Sequence, residues 1–292
     1  MAKNPPTIRM RRLGSQLRKI REERGLTLDE AADLLKLSKS ALSRMETAQV
    51  ITRRHEVDYL LFRYRVADNG LRESLLGLAA AGRSKDWIKR HGALSPGPVI
   101  GDFVRLEQDS SLIRVFQPTG IPGLLQTADY ARAVIQSAPL DPARHVERSV
   151  AFRMARQEVL KQPNPVRLET VIGETSLRQR LGDTAVLRTQ LRSLLESSRR
   201  GNTTVQVLPH EATRNPGFDG PFTLLEVENG DFTVVVIDSL TRSIYVEDDD
   251  EVTRYRLVFE DLRKVALTEA DSRTLIEQVI QDLPDSPGRG AG

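Results

Sequence analysis

The sequence predicts an all-α amino-terminal domain followed by a larger α+β domain whose sheet is mixed or antiparallel and flanked by helices. Three observations lead there. Apolar residues recur at helical spacing, between capping signals, from Leu13 to about Gly82. Gly, Pro and Ser then crowd the stretch from Gly82 to Gly101. Beyond it, short β-branched runs alternate with amphipathic helical segments. The expected boundaries are a basic arm over 1–12, five helices over 13–82, a linker over 83–101, the α+β domain over 102–283 and a disordered tail over 284–292.

The bulk numbers restrict the class. A chain of 292 residues, 39% hydrophobic and 28% charged, buries a sizeable core and divides naturally into two domains. Its charge is unevenly spread: up to Arg65 there are fifteen Lys and Arg against eight Asp and Glu, a net of +7, so the rest must sum to −4 for the whole to reach +3. A basic head on a mildly acidic body points to a polyanionic partner for the head. Cysteine is absent, which excludes disulfides and thiol catalysis and disfavours structural zinc. No apolar run approaches the roughly 20 residues that span a bilayer. The start, MAKNPPTIRMRR, has no apolar segment of a signal peptide. A cytoplasmic chain is expected, at the nucleoid, with no membrane partner.

In the first domain Leu13, Leu17 and Ile20 form one helical face, ended by Gly25. Thr27-Leu28-Asp29-Glu30 reads as a capping box, and Leu28, Ala31, Ala32 and Leu35 form the inner face of a second helix. Lys36-Leu37 leaves room for a tight turn before Ser38, a good N-cap for a third helix. Val57, Leu60, Leu61 and Tyr64 mark a fourth helix, and Leu71, Leu75 and Leu78 a fifth. Two short helices joined by about three residues make a helix-turn-helix. On the third helix Ser40, Ser43, Arg44 and Thr47 fall on one stripe with Lys39 beside it, while Leu42 and Met45 point away. Small hydroxyls with one Arg and one Lys suit a DNA groove, where Arg can donate two bonds to guanine.

The segment REERGLTLDEAADLLKLSKSALSRMETAQ resembles the helix-turn-helix of Cro/phage-repressor-like regulators of the xenobiotic-response-element family, over about residues 13–66. The resemblance implies base contacts from Lys39, Ser40 and Arg44 and phosphate or groove-edge contacts from Ser38 and Ser43, with Thr47 on the same stripe. It also implies that Arg21 and Glu46 join the first and third helices. Two positions depart from the family. Lys36 stands where a turn glycine is usual, and Leu28 replaces a phosphate-binding Gln of the second helix. Arg9, Arg11 and Arg12 before the first helix either touch phosphates or a minor groove or form a solvated arm. Arg53, Arg54 and His55 either reach the DNA backbone or face solvent.

In the connector Trp87, the only tryptophan, is expected as a packing anchor between domains rather than a ligand cage. Strands are expected over 111–117, 166–172, 204–208, 222–228, 232–237 and 244–246. Asn229-Gly230 supplies a hairpin signal, and Val234-Val235-Val236-Ile237 a central strand buried on both faces. Helices are expected at 124–135, 141–160, 187–195, 251–266 and 269–282. IPGLLQTADYARAV, RMARQEVL, ETVIGETSLRQRLGD and VQVLP resemble, in order, the C-terminal domain of actinobacterial WhiJ-like and Scr-type antitoxin-like regulators, from about Trp87 to Ile280. That resemblance implies a transcription regulator whose second domain senses a small partner protein from a neighbouring gene, or a ligand. The alternative is an antitoxin-like binder of such a partner that uses DNA contact for autoregulation.

No catalytic constellation emerges. His55, His91, His145 and His210 are scattered outside metal-ligand spacings, and no nucleophile elbow, Walker or Rossmann glycine pattern is present. His210-Glu211 is read as an exposed loop. Asp248-Asp249-Asp250-Glu251 is either a cation cluster or, preferably, acids favouring a helix N-terminus. Pro122, Gly123, Gln126 and Tyr130 either line a ligand or partner cleft, with free amides for an anion, or form a rigid turn plus core contacts. The expectation is therefore a non-enzymatic, cofactor-free DNA-binding regulator acting as a homodimer on double-stranded DNA.

Overall fold

Thr7, following Pro5-Pro6, starts the first helix earlier than the apolar spacing alone suggests. Its hydroxyl accepts from the Met10 amide at 3.3 Å, and α1 runs over Ile8–Glu23. In the computed structural model, which describes residues 6–80, 84–94, 100–137, 146–227, 232–239 and 242–284, the chain divides into two compact units, 1–82 and 83–292. The stretch read as a basic arm is thus part of a helix as far as it is described. Arg9 donates to the Gly77 carbonyl at 2.5 Å, and Arg11 to that of Pro6 at 3.0 Å. Ile8, nearly sealed from solvent, anchors this extra turn in the core.

The rest of the first unit is α2 (Leu28–Leu35), α3 (Lys39–Glu46), α4 (Arg54–Arg63) and α5 (Asn69–Ala79). Thr27 and Glu30 close the capping box reciprocally, at 3.3 Å to the Glu30 amide and 2.8 Å to the Thr27 amide. Leu13, Leu17, Ile20, Ala31, Ala32, Leu35, Leu42, Val57, Leu60, Leu61, Leu75 and Leu78 are buried together as the core. Each large side chain among them contributes about 1.5–3 kcal/mol.

Four consecutive helices end in the same way. The amide of the second residue past the last turn reaches back five positions, and that of the residue before it three: Leu26 to Arg21 and Gly25 to Glu22, then Leu37 to Ala32 and Lys36 to Asp33. Gln49 to Arg44 and Ala48 to Met45 repeat it, as do Val66 to Leu61 and Arg65 to Phe62. This Schellman closure needs a left-handed residue. Only the first end has glycine: Gly25 is at φ 68°, but Lys36, Ala48 and Arg65 sit at 53°, 57° and 51°.

The second unit begins with α6 (Ser84–His91) and α7 (Ile100–Asp109), both in or next to the stretch read as a linker; residues 95–99 of it lie outside the described residues. Trp87 on α6 is 2% exposed, packs with Val104 and Phe152, and donates its indole N–H to the Ala155 carbonyl at 3.3 Å. All of these partners belong to the second unit. Trp87, expected as an anchor between domains, is thus a core residue of the second unit, because α6 folds as its first helix.

Six strands form one mixed sheet: β1 (Ser110–Gln117), β2 (Arg167–Gly173), β3 (Thr203–Leu208), β4 (Phe222–Val227), β5 (Phe232–Asp238) and β6 (Ser243–Val246), in the order β3-β2-β1-β4-β5-β6. The three strands on the β3 side are parallel, and their connections run through α8 (Ala128–Ser137) and α9 (Val146–Arg156), then α10 (Thr175–Arg178) and α11 (Thr184–Ser197). The other three are an antiparallel meander. Val227 faces Phe232 across the β4–β5 pair; the Asn229-Gly230 turn itself, His145 and residues 285–292 of the expected tail lie outside the described residues. The valine run of β5 is buried on both faces but lies next to the edge strand β6, so β1, not β5, is near the middle.

Two helices complete the unit, α12 (Asp249–Val265) and α13 (Glu269–Asp282). Phe116, Val171, Leu208, Leu224 and Val235 from five strands pack with Val252, Phe259 and Leu262 of α12. Asp248 caps α12, accepting from the Asp250 and Glu251 amides at 3.1 Å each, which gives the acidic run a role at the helix start. No helix among the described residues is long and apolar enough to cross a membrane.

Candidate nucleic-acid interface

The turn between α2 and α3 is short because Lys36 takes the left-handed conformation and Ser38 at once caps α3, its hydroxyl accepting from the Ala41 amide at 3.1 Å. Ser38 Oγ also lies 3.2 Å from Ser40 Oγ. Lys39, Ser40, Arg44 and Thr47 are exposed and Ser43 is half-buried, whereas Leu42 and Glu46 are buried on the opposite side. The Arg44 guanidinium has no partner among the described residues. Lys39 is engaged: its Nζ is 2.7 Å from Asp29 Oδ2, with both side chains mostly exposed. Thr47 donates its hydroxyl to the Ser43 carbonyl at 2.7 Å, so its proton is spent on the helix end.

Behind this face, α3 is held to α1 at two points. Arg21 Nε and Nη2 donate to the two Glu46 carboxylate oxygens at 2.7 and 2.9 Å, and Nη1 donates to the Leu26 carbonyl at 2.9 Å. Both residues are 8% exposed, and the Glu46 hydrogen bond is the main reason the Arg21 pKa is raised. Breaking such a shielded pair costs about 3–5 kcal/mol, because a bare charge stays behind. The second point is Gly14, which sequence reading missed. A Cβ there would lie 2.6 and 2.7 Å from the Glu46 and Met45 carbonyl oxygens, so α1 meets the end of α3 backbone to backbone. Its only sequence signal is a glycine amid the apolar spacing of α1.

The remaining basic residues divide. Arg53 and Arg54 are exposed at the start of α4, where the Glu56 carboxylate accepts the Arg53 amide at 2.6 Å and Arg54 Nη2 comes within 3.8 Å of Glu73. Arg9 is tied to α5 by the bond already described, which takes it from DNA contact into structure. Arg11 and Arg12 stand on α1, not on an arm.

In the second unit Pro122, Gly123 and Gln126 line a cavity of about 460 Å³. Tyr130 does not: it is fully buried with Ala131 and Ile135 on the inner face of α8. Nor does the Ile121-Pro122-Gly123 segment enter a helix directly. It makes a single tight turn at Gly123–Leu125, and α8 begins only at Ala128, so the expected anion-binding helix start is missing there. The loop is braced instead by three glutamines. Gln126 donates to Ile121 O at 2.7 Å, Gln157 to Gln126 O at 2.7 Å and Gln190 to Leu125 O at 2.8 Å. Residues 100–278, more than half of the chain, match the family model described as a domain of unknown function, DUF5753.

The chain belongs to the DUF5753 family. Residues 12–75, which hold the α2–turn–α3 arrangement, match a second model, described as a helix-turn-helix domain. No match was found among curated proteins or among solved structures. The DUF5753 domain contains the whole sheet, the braced 121–127 loop and the cavity beside it. It also holds His210, whose Nε2 lies 3.1 Å from Thr175 Oγ1 and whose amide donates to Glu174 Oε2 at 3.0 Å. The ring is half exposed and its Nδ1 is 3.7 Å from that carboxylate, beyond a hydrogen bond, so the trio pins the end of β3 to α10.

Proposed function

We propose that the chain is a sequence-specific DNA-binding transcription regulator that places α3 in the major groove. The observation that carries this is Arg44: an exposed guanidinium with no partner among the described residues, one turn along from Ser40, on a capped helix fixed from behind by the Arg21–Glu46 pair. A side chain that reads a base must be unspent and its backbone rigid, and both conditions hold here. The amides of Lys39 and Ser40 open α3 with no intrahelical acceptor, and a helix start favours a phosphate. The +7 charge up to Arg65 supports the same reading through sequence-independent attraction.

The regulator acts as a homodimer on a two-fold site in this reading, with half-sites about one helical turn apart. Its DUF5753 domain senses a small partner protein or ligand, a role supported by the cavity and not by any catalytic arrangement. Replacing Arg44 by Ala weakens operator binding by about 1–3 kcal/mol and relaxes preference at one base pair. Binding-site selection with both proteins measures this, and equal losses on operator and random DNA would refute it. Sedimentation that finds one chain, free and on DNA, would remove the dimer.

A further inference from the structure

The cavity beside the 121–127 loop is lined by a guanidinium that no carboxylate among the described residues pairs. Arg153 and Arg156 stand one turn apart on α9, and both line it. Arg156 is neutralised: its Nε and Nη2 donate to Glu107 Oε1 and Oε2 at 2.9 and 2.6 Å, and Glu107 is 2% exposed. Arg153 is not. Its one hydrogen bond runs from Nη1 to Gln126 Oε1 at 2.8 Å, a neutral amide, and among the described residues no carboxylate pairs with it. Burial, with Arg156 close by, pulls its pKa down to about 10. The guanidinium stays charged, since arginine gives up its proton only far above neutrality.

A shielded cation without a counter-ion is costly, and proteins pair such charges. Here the missing partner has room. The cavity of about 460 Å³ lies within the roughly 300–1,000 Å³ range of small-molecule sites. Its apolar wall includes Phe103, Ile113, Val115, Leu124 and Val134. Ser243 and Tyr245 of β6 complete the lining.

We infer that this cavity binds a small organic monocarboxylate, its head on Arg153 and its apolar body against the Phe103–Val134 wall. Nε and Nη2 of Arg153 remain for a two-pronged grip on a planar carboxylate. A monoanion fits better than a phosphate, because a second negative charge would meet Glu107 and Asp238 with only one unpaired guanidinium to offset it. The inference gives a ligand class to the sensing role proposed above and rests on that reading only for its biological use.

The test uses the full chain without DNA, so its failure and that of the operator experiment are separate. Hexanoate, decanoate and phenylacetate are titrated against their neutral amides, reading thermal unfolding and the fluorescence of Trp87, whose ring contacts Phe152 beside Arg153. At least one carboxylate raises the unfolding temperature by about 2–4 °C and changes the Trp87 signal, and its amide does neither. Arg153→Gln abolishes both responses. Gln126→Glu, which supplies the absent counter-charge from within, also abolishes them while leaving unfolding cooperative, and so covers the case in which Arg153→Gln fails to fold. No response to any of the three acids, an equal response to the amides, or a response that survives in Gln126→Glu overturns the proposal.

Discussion

At the scale of single residues, the exposed face of α3 is partly occupied from within. Asp29 on α2 holds Lys39, and in the proposed docking its negative charge would oppose DNA phosphates. The exposed pair itself stabilises the fold by no more than about 1 kcal/mol. Asp29→Asn therefore leaves stability nearly unchanged and tightens DNA binding several-fold, with the largest gain at low salt; unchanged affinity in a salt titration would show that Lys39 is not used. Tyr64 makes a different prediction. Burial, then the Glu46 charge, pushes its phenol from 10.0 up to about 12. The folded chain keeps this proton where the unfolded chain releases it, so the stability involved is intact below about pH 10 and is lost as the pH rises toward about 12. Tyr64→Phe removes that share of the alkaline loss, and urea midpoints across this window for both proteins check it.

At the scale of elements, the helix ends are where the first unit is under strain. Lys36 is exposed and left-handed, so Lys36→Gly relieves the Cβ clash, offset in part by the greater freedom of unfolded glycine. A net gain of about 0.5–1 kcal/mol is expected, seen as a higher urea midpoint at unchanged slope. Elements whose signals are local were legible in advance: the Thr27–Glu30 box, the strands on either side of Asn229-Gly230, the leucine face of α11. Elements next to prolines were not. Pro5-Pro6 and three nearby arginines read as a free arm, although Thr7 is a cap, and Pro96-Gly97-Pro98 hid the start of α7. The proposed recognition face spans only residues 38–47, so periodicity alone groups it. Arg153 and Gln126 are 27 positions apart and on different elements, and only the folded domain brings them together.

At the scale of the molecule, each unit closes a core of its own, from α1–α5 in one and from the sheet and its helices in the other. Calorimetry of the full chain accordingly resolves two transitions. Lys36→Gly moves one and leaves the other in place, whereas a single transition displaced as a whole would mean that the units unfold together. The uneven charge, +7 up to Arg65 and −4 beyond, confines attraction for a polyanion to the first unit. In the second unit, the loop beside Arg153 is bolted down by carboxamides from Gln126, Gln157 and Gln190. Carboxamides have no ionisable proton in the biological range, so this wall holds the same outline in acid, neutral or alkaline surroundings. For the carboxylate ligand proposed above, acid would then weaken capture by protonating the solute itself and not by loosening this loop.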